Sequence, residues 1–173
     1  MAHNLNFNEI TGKYSFYSLK EKAWHSYGQI SDKQLNSREV LIQTAKSAAS
    51  MSSDYEKANV LKSVAAVYLD DRELRNVFFQ TVDTIKSDYE HRGVLSALLK
   101  NSKPNEELLS GLLNSAIGLT SDYEKATFLL EASNAYAGDA RLKEAFLKAV
   151  ETIKSDYERD RVLSALVKNK QIG

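Results

Sequence analysis

The chain has 173 residues, with 23 Lys plus Arg against 23 Asp plus Glu and no cysteine. A zero net charge argues against a general nucleic-acid binder, which needs excess cations to displace counterions from phosphates. The absence of Cys excludes a disulfide framework, thiolate metal sites and a cysteine nucleophile. One proline and seven glycines leave few helix breakers, a composition suited to long helices and short turns.

Residues 1–36 read as a small irregular N-terminal cap segment. Phe7, Tyr14, Phe16, Tyr17, Trp24 and Tyr27 crowd a short polar stretch, and Thr11-Gly12-Lys13 reads as a turn between short extended pieces. Such a segment would cover the apolar end of the first helices, as terminal repeats require. It has no basic region followed by an apolar run, and no stretch approaches the length of a membrane span, so the expectation is a cytoplasmic protein without membrane contact.

Residues 37–173 read as an α-helical repeat domain. Ser37 to Met51 has the pattern of a second helix of a hairpin. The tetrapeptide Ser-Asp-Tyr-Glu then begins at Ser53, Ser87, Ser121 and Ser155, a constant interval of 34 residues. A fixed period of this size marks a repeat array. Ser-x-x-Glu is a capping box, in which the Ser side chain accepts from the N3 amide and the Glu reaches back to the Ser amide. The pairs are Ser53 with Glu56, Ser87 with Glu90, Ser121 with Glu124 and Ser155 with Glu158. The intervening Asp (54, 88, 122, 156) suits the positive helix end. The recurrent Tyr is expected to pack against the neighbouring hairpin.

Each cap is followed by apolar residues at steps of three and four, such as Tyr55, Ala58, Leu61, Val64, Ala65 and Tyr68. Turns are expected at Asp70-Asp71, at Ser102 to Asn105, with Pro104 near a first helical turn, and at Gly138-Asp139. Second stripes follow: Leu74, Val77, Phe78, Val82 and Ile85; Leu108, Leu112, Ala116 and Leu119; Leu142, Ala145, Phe146, Ala149, Val150 and Ile153. A single hairpin cannot bury these stripes, and stacking gives a continuous core. The expected fold is an all-α α-solenoid of the right-handed superhelix type. Odd and even units alternate: the first and third share Ser-Asp-Tyr-Glu-Lys-Ala and end in Thr-Ile-Lys, while the second and fourth share Val-Leu-Ser-Ala-Leu.

The run Ile85 to Glu90 and the run Ile153 to Glu158 resemble the units of a bacterial helical-repeat family. Those units occur in regions attached to some membrane-bound metallopeptidases of the antibiotic-sensor type. The resemblance covers residues 53–173, about two thirds of the chain, and implies a HEAT-like or TPR-like solenoid without catalytic residues. The peptidase motif His-Glu-x-x-His does not occur. Ala2 to Asn8, Thr11 to Lys13 and Lys20 to His25 resemble the opening of phage- and plasmid-related proteins of unknown function. That family continues Trp-His-Gly-Leu-Gly, where this chain has Trp24-His25-Ser26-Tyr27-Gly28. This resemblance implies a mobile-element origin.

No His accompanies the Ser-Asp pairs to act as a base, and His3, His25 and His91 lack the spacing of metal ligands. No catalytic, cofactor or metal residues are therefore expected. The expected function is a non-catalytic protein-binding scaffold, in its specific form a phage-type inhibitor of a host protein. Its contacts are expected at positions that vary between units: Lys57, His91, Lys125 and Arg159 on the first helices, Arg75, Asn76, Ser110, Lys143 and Glu144 on the second, and Trp24 and His25 in the cap. The alternative is a self-associating module, with Val162, Leu163, Leu166 and Val167 on the last helix as a homodimer contact.

Overall fold

The computed structural model describes residues 4–8, 13–18, 23–26, 38–66, 71–102, 104–134 and 140–168. From residue 38 onward every described element is an α-helix: α1 (Arg38–Ala49), α2 (Asp54–Ala65), α3 (Arg72–Val82), α4 (Asp88–Asn101), α5 (Glu106–Ile117), α6 (Asp122–Ser133), α7 (Ala140–Glu151) and α8 (Asp156–Lys168). Each helix packs on its second neighbour in the chain, and all consecutive pairs but α3–α4 pack as well. The contacts α2–α4–α6–α8 form one row, the A row, and α1–α3–α5–α7 the other, the B row. This is an α-solenoid, and its hairpin unit is the 34-residue repeat.

The core lies between the rows. Leu61, Leu95, Leu98, Leu112, Leu113, Phe128 and Leu129 are wholly buried. Burying one such side chain stabilises the fold by about 1.5–3 kcal/mol. The stripes read from the sequence supply this core, with one exception. Tyr55, Tyr89, Tyr123 and Tyr157 are 58–73 % exposed and lie outside the buried core. Side chains on a helix lean toward its N-terminus. Each of these tyrosines is the second residue of its helix, so it leans toward that helix's open end.

The turns differ in detail from expectation. Asp71 caps α3, accepting from the Leu74 amide at 2.9 Å. Asn105 caps α5 through the Leu108 amide at 2.9 Å, which places Pro104 before the cap and outside the first turn. The expected turn at Gly138-Asp139, and Tyr68, lie outside the described residues.

The N-terminal segment is more regular than expected. It holds β1 (Asn4–Asn8), β2 (Lys13–Ser18) and β3 (Ala23–Ser26) in one antiparallel sheet of order β1-β2-β3. Asn6 stands opposite Ser15, and Tyr17 opposite Trp24.

Candidate binding surface

The Ser-Asp-Tyr-Glu motif divides into four jobs. In each unit the Ser side chain accepts the amide three residues on: Glu56 to Ser53 at 3.3 Å, Glu90 to Ser87 at 3.4 Å, Glu124 to Ser121 and Glu158 to Ser155 at 3.3 Å. This is the expected N-cap. In the second, third and fourth units the Ser amide is held not by the Glu of its own motif but by the Asp of the preceding repeat. Asp54 Oδ2 accepts from the amides of Lys86 (3.0 Å) and Ser87 (2.8 Å). Asp88 accepts from the Thr120 amide and hydroxyl and from Ser121 (2.6 Å). Asp122 accepts from Lys154 (3.1 Å) and Ser155 (2.8 Å). The Asp of each of the first three units thus clamps the next unit's cap.

Burial alone would raise the Asp88 carboxyl, but the Thr120 hydroxyl and the Thr120 and Ser121 amides outweigh it and hold its pKa below the usual range. The amides of Lys154 and Ser155 do the same for Asp122. Hydrogen bonds to the charged form favour that form.

The Glu side chains, released from capping, join repeats. Glu90 pairs with Lys62 of α2 at 3.2 Å, and Glu124 with Arg92 of α4. Glu158 pairs within its own helix, with Arg161.

Four of the variable positions expected to meet a partner, Lys57, His91, Lys125 and Arg75, turn inward instead. Lys57, His91 and Lys125 are each 4 % exposed. Lys57 Nζ donates to the Thr84 hydroxyl (2.9 Å) and carbonyl, and Lys125 Nζ to those of Thr152 in the same way. Each ammonium so caps the C-terminus of its own unit's B helix. Burial lowers the Lys125 pKa, opposed by Asp122 and Asp88. In the second unit Gly118 stands where the others have Thr, and His91 meets Ser115 at 2.9 Å. The shared Lys and Thr of the first and third units are thus a matched pair across each of those hairpins, and the second unit substitutes His91 with Ser115. Arg159 folds back onto the Ile153 carbonyl. Arg75 is buried and pairs with Glu107 on the next B helix. Asn76 and Glu144 are exposed, and Ser110 and Lys143 half-buried, so these four remain accessible. Trp24 and His25 sit in β3, and their side chains lie outside the described part of the structure.

The contact of Ser115 with His91 and Asp83 has the wrong order for nucleophilic catalysis. The Ser115 hydroxyl donates to Asp83 Oδ1 at 2.6 Å. Its single proton is thereby used, so His91 Nε2 carries a hydrogen and donates to Ser115. A general base must accept the Ser proton, and this imidazole nitrogen cannot. Among the described residues no group of three or more His, Asp or Glu side chains is placed to hold a metal ion. No described helix is long and apolar enough to cross a membrane.

What remains on the surface with the repeat's own period is the tyrosine row. The four rings stand on successive A helices, whose axes in close packing lie about 8–10 Å apart. Arginines lie beside them: Arg92 Cζ is 5.4 Å from the Tyr89 ring centre, and Arg161 Cζ lies 5.9 Å from Tyr123 and 6.0 Å from Tyr157. One guanidinium therefore bridges two consecutive rings, within the range of cation–π attraction. Sequence periodicity assigned these tyrosines to the core. Their position in the first helical turn was the available signal that they stand outside it. No family model matches the chain, and neither a curated protein nor a solved structure matches it.

Proposed function

We propose that this chain is a non-catalytic, cytoplasmic protein-binding scaffold of HEAT-like hairpins, and that the tyrosine row is its contact surface. The exposure of Tyr at the same position of four successive repeats supports this reading. An exposed Tyr contributes nothing to the core, while Tyr and Arg are the side chains most enriched at the energetic centres of protein interfaces. Two χ angles per ring make such a surface stiff, so little entropy is lost on binding.

The test is capture of partners from bacterial lysate by the full chain and by a variant with Tyr55, Tyr89, Tyr123 and Tyr157 replaced by Ser. A partner bound by the native chain and weakened at least tenfold by the variant is the expected result, since one interface Tyr commonly accounts for about 1–2 kcal/mol. Equal retention on both chains, or no capture by either, sinks the reading. A narrower version, an inhibitor of a host defence protein carried by a mobile element, rests on the N-terminal resemblance alone. It is discarded if the expressed chain alters no system in a panel of host defences.

A further inference from the structure

The described array runs from a B helix, α1, to an A helix, α8, and among the described residues the faces at its two ends are part-exposed in complementary ways. In the three earlier A helices the position of Leu163 is filled by Leu61, Leu95 and Leu129, all 0 % exposed. The position of Val167 is filled by Ala65, Leu99 and Ser133, at most 9 % exposed. On α8 Leu163 is half-buried and Val167 is 66 % exposed. The Asp156 side chain is 97 % exposed, beside Arg159 at 3.5 Å, whereas its counterparts each clamp two successive amides of the following repeat.

The opposite end mirrors this. Leu74, Leu108 and Leu142 are buried, but their counterpart on α1, Val40, is half-buried. The same holds for Thr44 against Phe78, Leu112 and Phe146, and for Met51 against Ile85, Leu119 and Ile153. Ser53 is exposed where Ser87, Ser121 and Ser155 are half-buried, and no carboxylate among the described residues accepts its amide.

We propose that copies of this chain associate head to tail, α8 of one copy seating against α1 of the next so that the two helices complete one hairpin and the solenoid continues through the junction. Continuing the 34-residue register places Asp156 at the Ser52 and Ser53 amides of the next copy, as Asp54 stands to Lys86 and Ser87. Leu163 and Val167 meet the face of Val40, Thr44 and Met51. Charge fits as well. Arg75 of α3 pairs with Glu107 of α5, and two repeats further on the same register sets Lys143 of α7 against Glu39 of the next copy. Among the described residues Glu39 is exposed and accepts only from the Gln43 amide group, and Lys143 has no carboxylate partner. The contact is heterologous, so it propagates as a filament, or as a ring if the rotation per copy closes.

Sedimentation velocity of the full chain across a wide concentration range is the test, with helical circular dichroism confirming the fold of each variant. The native chain is expected to grow beyond a dimer as concentration rises. Val167→Glu blocks the tail and Thr44→Glu the head. Each variant alone stays monomeric, and an equal mixture of the two stops at the dimer, because one open head still meets one open tail. Lys143→Glu weakens association about tenfold and the added Glu39→Lys restores it, as expected for a close charge pair across an interface. This swap decides the matter even if Thr44→Glu does not fold. A native chain that remains monomeric throughout overturns the proposal. So does a Thr44→Glu chain that dimerises by itself, which would mean symmetric pairing of two α8 helices, or a charge swap without effect.

Discussion

At the scale of the residue, one tetrapeptide carries separate tasks that its spacing alone does not reveal. The Ser is a local cap, and its worth follows from helix chemistry. Ser87→Ala is expected to lower stability by about 1 kcal/mol in chemical denaturation, the usual cost of losing such a cap. His91 gives a pH-dependent counterpart. Burial lowers its pKa from the ordinary 6.5, opposed by Asp83 and Asp88. The unfolded chain therefore takes up a proton at a higher pH than the folded one. Stability is full above about 6.5 and declines as pH falls from there toward the lower folded pKa. The melting temperature should drop between pH 7.5 and pH 5.5, and His91→Gln should flatten that slope. An unchanged slope in the variant would mean that another group dominates this range.

At the scale of the element, the helices are set by periodicity and caps, but their closeness is set by what faces them. Gly111 lies inside α5, where Ala would ordinarily gain about 1 kcal/mol in helix propensity. A β-carbon there would stand 2.6 Å from Cε2 of Phe79 on α3. Phe79 is half-buried and set edge-on against Phe78, ring centres 5.7 Å apart, so its ring must leave that contact to admit the β-carbon. Overpacking costs about 1–3 kcal/mol, and Gly111→Ala is expected to destabilise the chain by about 1 kcal/mol despite its propensity. A stabilised variant in thermal denaturation would show that the ring moves freely.

At the scale of the whole molecule, the Asp clamps link every repeat to the next along the A row. The folded pKa values of Asp88 and Asp122 are depressed below the ordinary 3.8. The stability they contribute is present above that value and is lost as pH falls from it through the lower folded values. Stability to urea should therefore decline below about pH 4, and Asp88→Asn should shrink that decline. A variant with the native acid profile would show that the clamp holds equally well without its charge.

The sequence by itself determined the repeat, the caps and the apolar stripes, because these depend on local hydrogen bonding and on which residues share a helix face. The solenoid follows from them together with the 34-residue period, since stacked repeats bury both stripes of each hairpin in one continuous core. Partner choice across repeats was decided only by tertiary structure. The Ser87 amide could bond to Glu90 or to Asp54 by local rules, and only the stacking of α2 on α4 brings the Asp within 2.8 Å. Lys57 and His91 vary between units in the manner of surface residues, yet each is buried against a matching residue on its own hairpin. The tyrosines repeat in the manner of core residues, yet they stand in solvent. A period reports that an environment recurs. Whether that environment is core or surface depends on where the neighbouring helix ends, and that is settled by packing in three dimensions.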